Sequence, residues 1–286
     1  MQHYIDSFTT MVSLRGLAGH TLKSYSSYLK SYLSYLTDHL HKLPEDVSWD
    51  ELRQYILFLQ NVRSLSDRSI NAHISQLKFF TLYVLHKPWD PYQIPFRRFD
   101  SYLPEILSQE EVRYFIDSFD NLKHKAVISL LYSAGLRVGE VCHLKYKDIS
   151  RRNMTIHISH SKNRSDRYAI LASNALDILT DYWLSYGKPT DWLFPSTFTS
   201  DKPICSFTVN RFVNQHLARL GWNKNISSHT FRHCFGTHLY ENGVDLLTIK
   251  SLLGHKSLSS TTIYVHLGSN GVHSTLSPFD MNGGMK

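Results

Sequence analysis

The stretch His229-Thr230-Phe231-Arg232-His233 places a guanidinium three residues after an imidazole. Apolar spacing predicts a helix over residues 229–242, and residues three apart on a helix share a face. Arginine stays protonated at any working pH and can donate two parallel hydrogen bonds to phosphate oxygens. His229 and Arg232 are therefore predicted to converge on one phosphate group.

Three further pieces of sequence carry residue types that suit the same chemistry. Gly135-Leu136-Arg137-Val138-Gly139-Glu140 supplies a second arginine and a carboxylate. A polar turn supplies Lys162, and Leu253-Gly254-His255 is followed nine residues later by Tyr264. Taken singly, each of these residues is equally consistent with an ordinary surface or core position. Only their combination predicts a site.

The chain outside these motifs is predicted to be mainly helical. Apolar residues recur at helical spacing over residues 21–40, 48–59 and 66–85, with Thr21 and Ser48 as candidate caps. A further helix is predicted to begin at the capping-box pattern of residues 108–111, and others are predicted over residues 121–134, 174–186, 206–220 and 246–253, with a short one around residue 264. We interpret the tyrosines on the helix over residues 21–40 as core residues.

Two segments interrupt the helices. Residues 154–171 contain two apolar stretches around a polar turn, which predicts a β-hairpin that carries Lys162 and Arg164. Residues 88–104 contain four prolines, which favours an extended linker, and Arg97 and Arg98 within it are candidate contacts to a DNA backbone. The predicted domains are residues 1–87 and 105–267, followed by a tail of residues 268–286.

Composition limits the class of protein. The 286 residues are 42% hydrophobic and carry a formal charge of +7, with a pI near 9.2, which favours a polyanionic partner. Three separated cysteines suggest neither a disulfide framework nor a zinc knuckle. The chain has no stretch of 18 apolar residues and no signal-peptide pattern, so we expect a cytoplasmic protein without a membrane partner.

In order and context, the four motifs resemble the catalytic signature of the tyrosine recombinase (phage integrase) family, near its Xer and integron-integrase branch. The resemblance covers nearly the whole chain and implies an N-terminal helical, SAM-like core-binding domain before a catalytic domain. The expected fold is mainly α, with a small antiparallel hairpin. Six residues take the family's catalytic positions: Arg137, Lys162, His229, Arg232, His255 and Tyr264.

The resemblance also implies roles. Tyr264 is the nucleophile, Lys162 the hairpin lysine and Glu140 a support for the first arginine, whereas His233 has a structural role. Relatives often have glycines around the lysine, but this chain has Ser161 and Asn163, which leaves open whether Lys162 or a neighbour is the acid. The tail after Tyr264 often docks on the next protomer in relatives.

The family implies an enzyme that cleaves and rejoins double-stranded DNA at a specific core site through a 3′-phosphotyrosyl link. It acts as a dimer on one site and as a tetramer in synapsis, through a Holliday junction, for integration, excision, transposition or resolution. The chemistry of the residues agrees with this. Two fixed guanidinium groups can meet the charge that develops on a phosphate in in-line attack, so no metal or cofactor is expected.

Three alternatives remain open at this point. A type IB topoisomerase uses similar chemistry and would relax supercoils without a partner site. A non-catalytic DNA-binding regulator could share the scaffold. A zinc hydrolase could use His229, His233 and His238, although the chain has no H-E-x-x-H motif and Arg232 would disfavour a cation.

Overall fold

The chain divides into two compact units, residues 1–101 and residues 102–286. A computed structural model describes residues 1–16, 19–99, 103–159, 166–197, 199 and 201–268. The first unit is helical, with α1 (Gln2–Leu14), α2 (Gly19–Tyr35), α3 (Trp49–Asn61) and α4 (Asp67–Tyr83). None of the described helices combines the length and the apolar character needed to cross a membrane.

Local capping begins two of these helices where the sequence predicts. Ser48 Oγ accepts a hydrogen bond from the backbone N–H of Glu51, and the Glu51 carboxylate accepts one from the backbone N–H of Ser48. This is the predicted capping box. Ser66 Oγ accepts in the same way from the N–H of Ser69 at the start of α4.

The predicted helix over residues 21–40 differs from the structure in two ways. The cap expected at Thr21 is wrong, because α2 begins two residues earlier at Gly19. The α-helix also ends at Tyr35, and Leu36–Leu40 continue as a π-helical turn. Helix α1 was not predicted from the sequence, and it has no side-chain cap at its start.

Aromatic residues pack with aliphatic ones in the core of the first unit, and two of the tyrosines of α2 are buried there, as the sequence interpretation expected. Tyr32 and Tyr55 are buried with ring centroids 5.2 Å apart, and Phe80 packs against Tyr32 at 6.4 Å. Part of the proline-rich segment joins this core, because Ile94 is buried in it and Trp89 packs edge-on against Trp49.

The second unit contains the remaining helices and a small sheet. Its elements in chain order are α5 (Gln109–Asp117), α6 (Leu122–Ser133), α7 (Val138–Cys142), β1 (Ile149–Ser150), β2 (Thr155–Ile158), β3 (Arg167–Ile170), α8 (Ser173–Ser185), α9 (Ser206–Leu220), α10 (Ser228–Glu241), α11 (Leu246–Leu253) and α12 (Ile263–Leu267).

The sheet is antiparallel with strand order β1-β2-β3, so the predicted hairpin gains a third strand that the sequence did not reveal. Ile156 pairs with Ala169 in its centre, and both are buried in the core of this unit. The turn with Lys162 and Arg164 lies outside the described residues.

Helix α10 organises the second unit around the predicted motifs. It packs against α6, α11 and α12, and nine of its fourteen residues are buried. Phe235 of α10 forms an apolar cluster with Ile249 and Leu253 of α11 and Tyr264 of α12. The three motifs at residues 229–233, 253–255 and 264 are thus held together by one packed cluster.

Candidate active site

Arg232 is the most deeply buried charged residue of the site, with 1% of its surface exposed. Its Nη1 donates to the carbonyl of Gly135 and its Nη2 to the carbonyl of Leu253, both at 2.6 Å. Gly135 has φ +58°, and a Cβ there would lie 2.3 Å from the ring of Phe235. Burial and the charge of Arg137 lower the pKa of Arg232 to about 10, so the group remains charged at neutral pH.

Glu140 joins two arginines beneath the site. Arg137 Nη1 donates to Glu140 Oε1 at 2.8 Å, and Arg167 donates to both carboxylate oxygens at 2.8 and 2.7 Å. Burial alone would raise the pKa of Glu140, but the bonds from Arg167 and Arg137 outweigh it and lower that pKa to about 2. The carboxylate therefore stays ionised and fixes both guanidinium groups.

Arg137 is also tied to the motif at residues 253–255. Its Nη2 donates to the carbonyl of Gly254 at 3.2 Å, while 21% of its side chain remains exposed. Arg167 Nε donates to the carbonyl of Leu252 at 3.1 Å. Two arginines, one directly before α7 and one in β3, thus both bind the end of α11.

The two histidines of α10 lie next to each other. The ring centroids of His229 and His233 are 4.5 Å apart, and His233 is 6.1 Å from the ring of Tyr264. Desolvation, followed by the charges of Arg232 and Arg137, lowers the pKa of His229. None of the described residues offers a hydrogen-bond partner to the buried Nδ1 of His233, and burial lowers the pKa of that imidazole to about 4.

Tyr264 lies directly on α10. A Cβ at Gly236 would fall 2.5 Å from Cζ of Tyr264, so only glycine leaves room for the phenol in this position. Tyr264 is 1% exposed, and burial raises its pKa to about 12 despite the opposing charges of Arg232 and Arg137. The phenol is therefore protonated at neutral pH.

His255 stacks over the phenol ring, with centroids 6.3 Å apart and planes 14° apart. Its Nδ1 lies 3.0 Å from Oγ1 of Thr261, which is fully buried. Burial, followed by the charges of Arg232 and Arg137, lowers the pKa of His255 to about 4, so this ring is neutral near pH 7.

Five of the six predicted catalytic residues line one open pocket of the second unit: Arg137, His229, Arg232, His255 and Tyr264. Lys162, the sixth, and Arg164 lie outside the described residues. His233 and Lys256 line the same pocket, although the family resemblance implied only a structural role for His233.

The two linker arginines belong to the first unit and differ from each other. Arg97 donates through Nη1 to Gln60 at 2.9 Å and through Nε to Asp67, so its guanidinium is already paired. Arg98 is exposed. A DNA contact by either residue stays a prediction.

The sequence reasoning missed Arg167, Gly236 and Thr261. A strand arginine, a helix glycine and a threonine in a polar stretch have no local signal that separates them from surface residues. Gly236 lies four residues after Arg232, and Thr261 lies three residues before Tyr264. These spacings alone do not distinguish the two residues from others near the motifs.

The zinc alternative does not fit the described part of the chain. Both ring nitrogens of His238 have protein partners, the hydroxyl of Tyr132 at 2.9 Å and the carbonyl of Leu107 at 3.0 Å. No group of three histidine, cysteine or acidic side chains in the described ranges is arranged to hold a metal ion. The pocket is instead lined by the two positive charges of Arg137 and Arg232, which disfavour a bound cation.

Comparison with known proteins gives a family match for each of the two units. Residues 105–270 match the Phage integrase family, and residues 4–91 match the Phage integrase, N-terminal SAM-like domain. The chain is 37% identical over 235 residues to the provisionally named integrase/recombinase y4eF of Sinorhizobium fredii, covering 81% of this chain and 92% of that protein.

Two further relatives agree in sequence and in fold. Tyrosine recombinase XerA of Pyrococcus horikoshii is 30% identical over 264 residues, covering 91% of this chain and 87% of that protein. The Tn1549 transposon integrase, solved in complex with circular intermediate DNA, has a TM-score of 0.75 at 18% identity, covering 95% of this chain and 98% of that chain. The chain therefore belongs to the phage integrase family, the family of tyrosine recombinases.

Proposed function

We propose that Tyr264 is the nucleophile with which this site-specific recombinase cleaves and rejoins double-stranded DNA. The observation that carries the proposal is the pocket itself, in which one phenol lies with two guanidinium groups and three imidazoles. In-line attack on a phosphodiester builds negative charge on the non-bridging oxygens, and donors fixed in advance stabilise that charge.

The arginines are suited to this task because they are held before DNA binds. Two backbone carbonyls hold Arg232, and Glu140 with the Gly254 carbonyl holds Arg137. Their charges can therefore serve where many nucleases use a divalent ion. His255 lies beside the phenol and can hydrogen-bond a phosphate oxygen.

The chemical step is an exchange of two phosphorus–oxygen bonds. The Tyr264 oxygen attacks phosphorus while its proton passes to a base, for which His229 is the candidate, and the bond to the 5′ oxygen breaks. Lys162 protonates the departing 5′ oxygen. The product is a 3′-phosphotyrosyl link, and a 5′-hydroxyl from a second strand reverses the step to complete strand exchange.

The partners follow from the same proposal. Double-stranded DNA with a core site is the substrate, bound by a dimer, and two such complexes form a tetramer that passes through a Holliday junction. We place the reaction on cytoplasmic, nucleoid-associated DNA. Sedimentation of the protein with one duplex and then with a preformed four-way junction tests both assemblies.

The test is a cleavage assay in the presence of a chelator, on nicked duplexes taken from the DNA that flanks the gene. A nick next to the cleavage position lets a short fragment diffuse away, so the covalent complex accumulates. Tyr264→Phe should abolish the adduct and leave DNA binding within about twofold, because only a hydroxyl is lost. Tyr240→Phe, an equally small change on α10, should leave the adduct unchanged.

Three results would overturn the proposal. An adduct with Tyr264→Phe would place the nucleophile elsewhere, and loss of wild-type cleavage in chelator would require a metal. Relaxation of supercoiled DNA without any dependence on a core site would favour a topoisomerase instead.

A further inference from the structure

Thr261 connects the two residues that flank the proposed scissile phosphate. Its Oγ1 lies 3.0 Å from Nδ1 of His255, and its backbone carbonyl accepts the N–H of Tyr264 at 3.1 Å. The residue is fully buried, so water cannot replace either contact. One threonine thereby fixes both the imidazole ring and the first turn of α12.

The hydrogen bond at Nδ1 determines whether Nε2 of His255 can donate a hydrogen bond to DNA or can only accept one. The pKa of about 4 leaves one ring proton at neutral pH, on either Nδ1 or Nε2. A hydroxyl can donate to a bare Nδ1 or accept from a protonated one. In the first case Nε2 carries a proton and can donate to a phosphate oxygen, and in the second it presents a lone pair that repels that oxygen.

We propose that Thr261 is a positioning residue whose hydroxyl donates to Nδ1 of His255 and so holds the imidazole as the Nε2–H tautomer. The inference rests on the proposed function, because it assumes that His255 donates to the scissile phosphate. Arg137 and Arg232 support it, since a pocket lined by two cations attracts phosphate oxygens and thus calls for a donor at Nε2.

The tautomer can be measured without any activity. In protein labelled with 15N-histidine, long-range proton–nitrogen correlation spectra distinguish Nδ1–H from Nε2–H rings, and the spectrum of His255→Gln identifies the His255 signals by their loss. Full-length wild-type protein at pH 7 should show His255 as the Nε2–H tautomer. A predominant Nδ1–H form would overturn the inference, whatever the variants do.

Variants at Thr261 test the consequence for cleavage. Thr261→Val removes the hydroxyl but keeps the shape, and it should slow single-turnover cleavage about 10- to 100-fold while shifting the His255 signals towards the Nδ1–H form. Thr261→Ser retains the hydroxyl and should restore both. Thr262→Val is the matched control, because the Thr262 hydroxyl donates to the Ser259 carbonyl instead of contacting His255.

A double variant separates positioning from a general structural effect. If Thr261 acts through His255, then Thr261→Val in the His255→Gln background should cost no further activity, whereas an unrelated structural role gives additive losses. Additive losses, or wild-type cleavage by Thr261→Val, would overturn the inference. Each of these outcomes is independent of the Tyr264→Phe result, which tests the proposed function.

Discussion

The two units of this chain bury different kinds of side chain. Among the described residues of the first unit, the buried polar side chains are neutral ones, His73 and Gln76, within an aromatic core. The second unit buries charged groups as well, namely Lys123, Glu140, Asp148 and Arg232. Removal of a charge from water costs several kcal/mol unless partners are in place. The first unit thus forms a core without buried charges. The buried charges of the second unit therefore need a reason other than stability.

The partners of two of these charges supply that reason. Glu140 is held by two arginines and Arg232 by two backbone carbonyls, and Arg137 and Arg232 both reach the pocket with Tyr264. Charges that are fixed in advance need no reorganisation when a reaction develops charge. The second unit therefore accepts a loss of stability in exchange for a preorganised site, and the first unit does not.

The strongest test of this comparison is Arg232→Met, which keeps the volume and removes the charge. Cleavage should fall at least about 1000-fold, because a fixed donor to the developing phosphate charge is lost. Stability should fall by only about 2 kcal/mol, since two unpaired carbonyls are offset by relief from burying a cation. Adduct formation and urea unfolding measure the two effects. A variant that cleaved normally would show that the buried charge serves the fold alone.

A second test moves the nucleophile without changing any charge. Gly236→Ala places a methyl group 2.5 Å from Cζ of Tyr264, so the phenol must shift. A displacement of about 1 Å at a reacting group can cost about 100-fold in rate, and we expect a loss of that size in single-turnover cleavage. Gly139→Ala is the control, because a Cβ there meets nothing within 4 Å, and it should cleave at the wild-type rate.

A third test removes the negative charge between the arginines. Glu140→Gln should lower cleavage about 10-fold, because Arg137 and Arg167 lose the group that holds them, and it should lower the unfolding free energy at pH 7 by about 3 kcal/mol. The pKa of Glu140 falls from 4.5 to about 2 on folding, so its stabilisation is complete above pH 4.5 and is lost as the pH falls towards 2.

The pH dependence distinguishes this explanation from simple loss of packing. The stability difference between wild type and Glu140→Gln should shrink between pH 4.5 and 2 when urea unfolding is measured across that range. A difference that stayed constant would mean that the ionised carboxylate contributes nothing beyond its shape.

Much of the fold and of the site was visible in the sequence because the signals are local. The capping box predicted at Ser48 involves residues three apart and is present in the structure, and the same arrangement begins α5 at Ser108. Helix α6 ends at Ser133, next to the predicted end at residue 134, and Gly135 follows with φ +58°. The pocket residues were recognisable because arginine, histidine and tyrosine in those motifs have few other reasons to occur together.

The rest depends on contacts between distant residues. Arg167 binds Glu140 across 27 positions, and Gly236 matters only because α12 packs on α10. Strand β1 has two residues and is defined by its pairing with β2, so periodicity could not reveal it. Sequence patterns thus identified residues that line the pocket, whereas the residues that hold them in place were identified only from the packed structure.

The smallest effect on cleavage is expected from substitutions in the first unit. They test whether its neutral core contributes to stability alone. Phe80 is 1% exposed and packs against Phe8 and Tyr32, so Phe80→Ala should cost about 3–5 kcal/mol of stability. Leu14→Ala, at a position that is 76% exposed, should cost less than about 0.5 kcal/mol. Urea unfolding followed by circular dichroism measures both.

The cleavage rate of the bound complex should be the same for Phe80→Ala and wild type, at a temperature where the variant is folded and DNA is saturating. This is expected because all of the described residues that line the pocket belong to the second unit. Saturation with DNA removes any change in affinity from the measurement. A slower rate under those conditions would mean that the neutral core of the first unit also affects the cleavage step. The proposed difference between the two units would then be wrong.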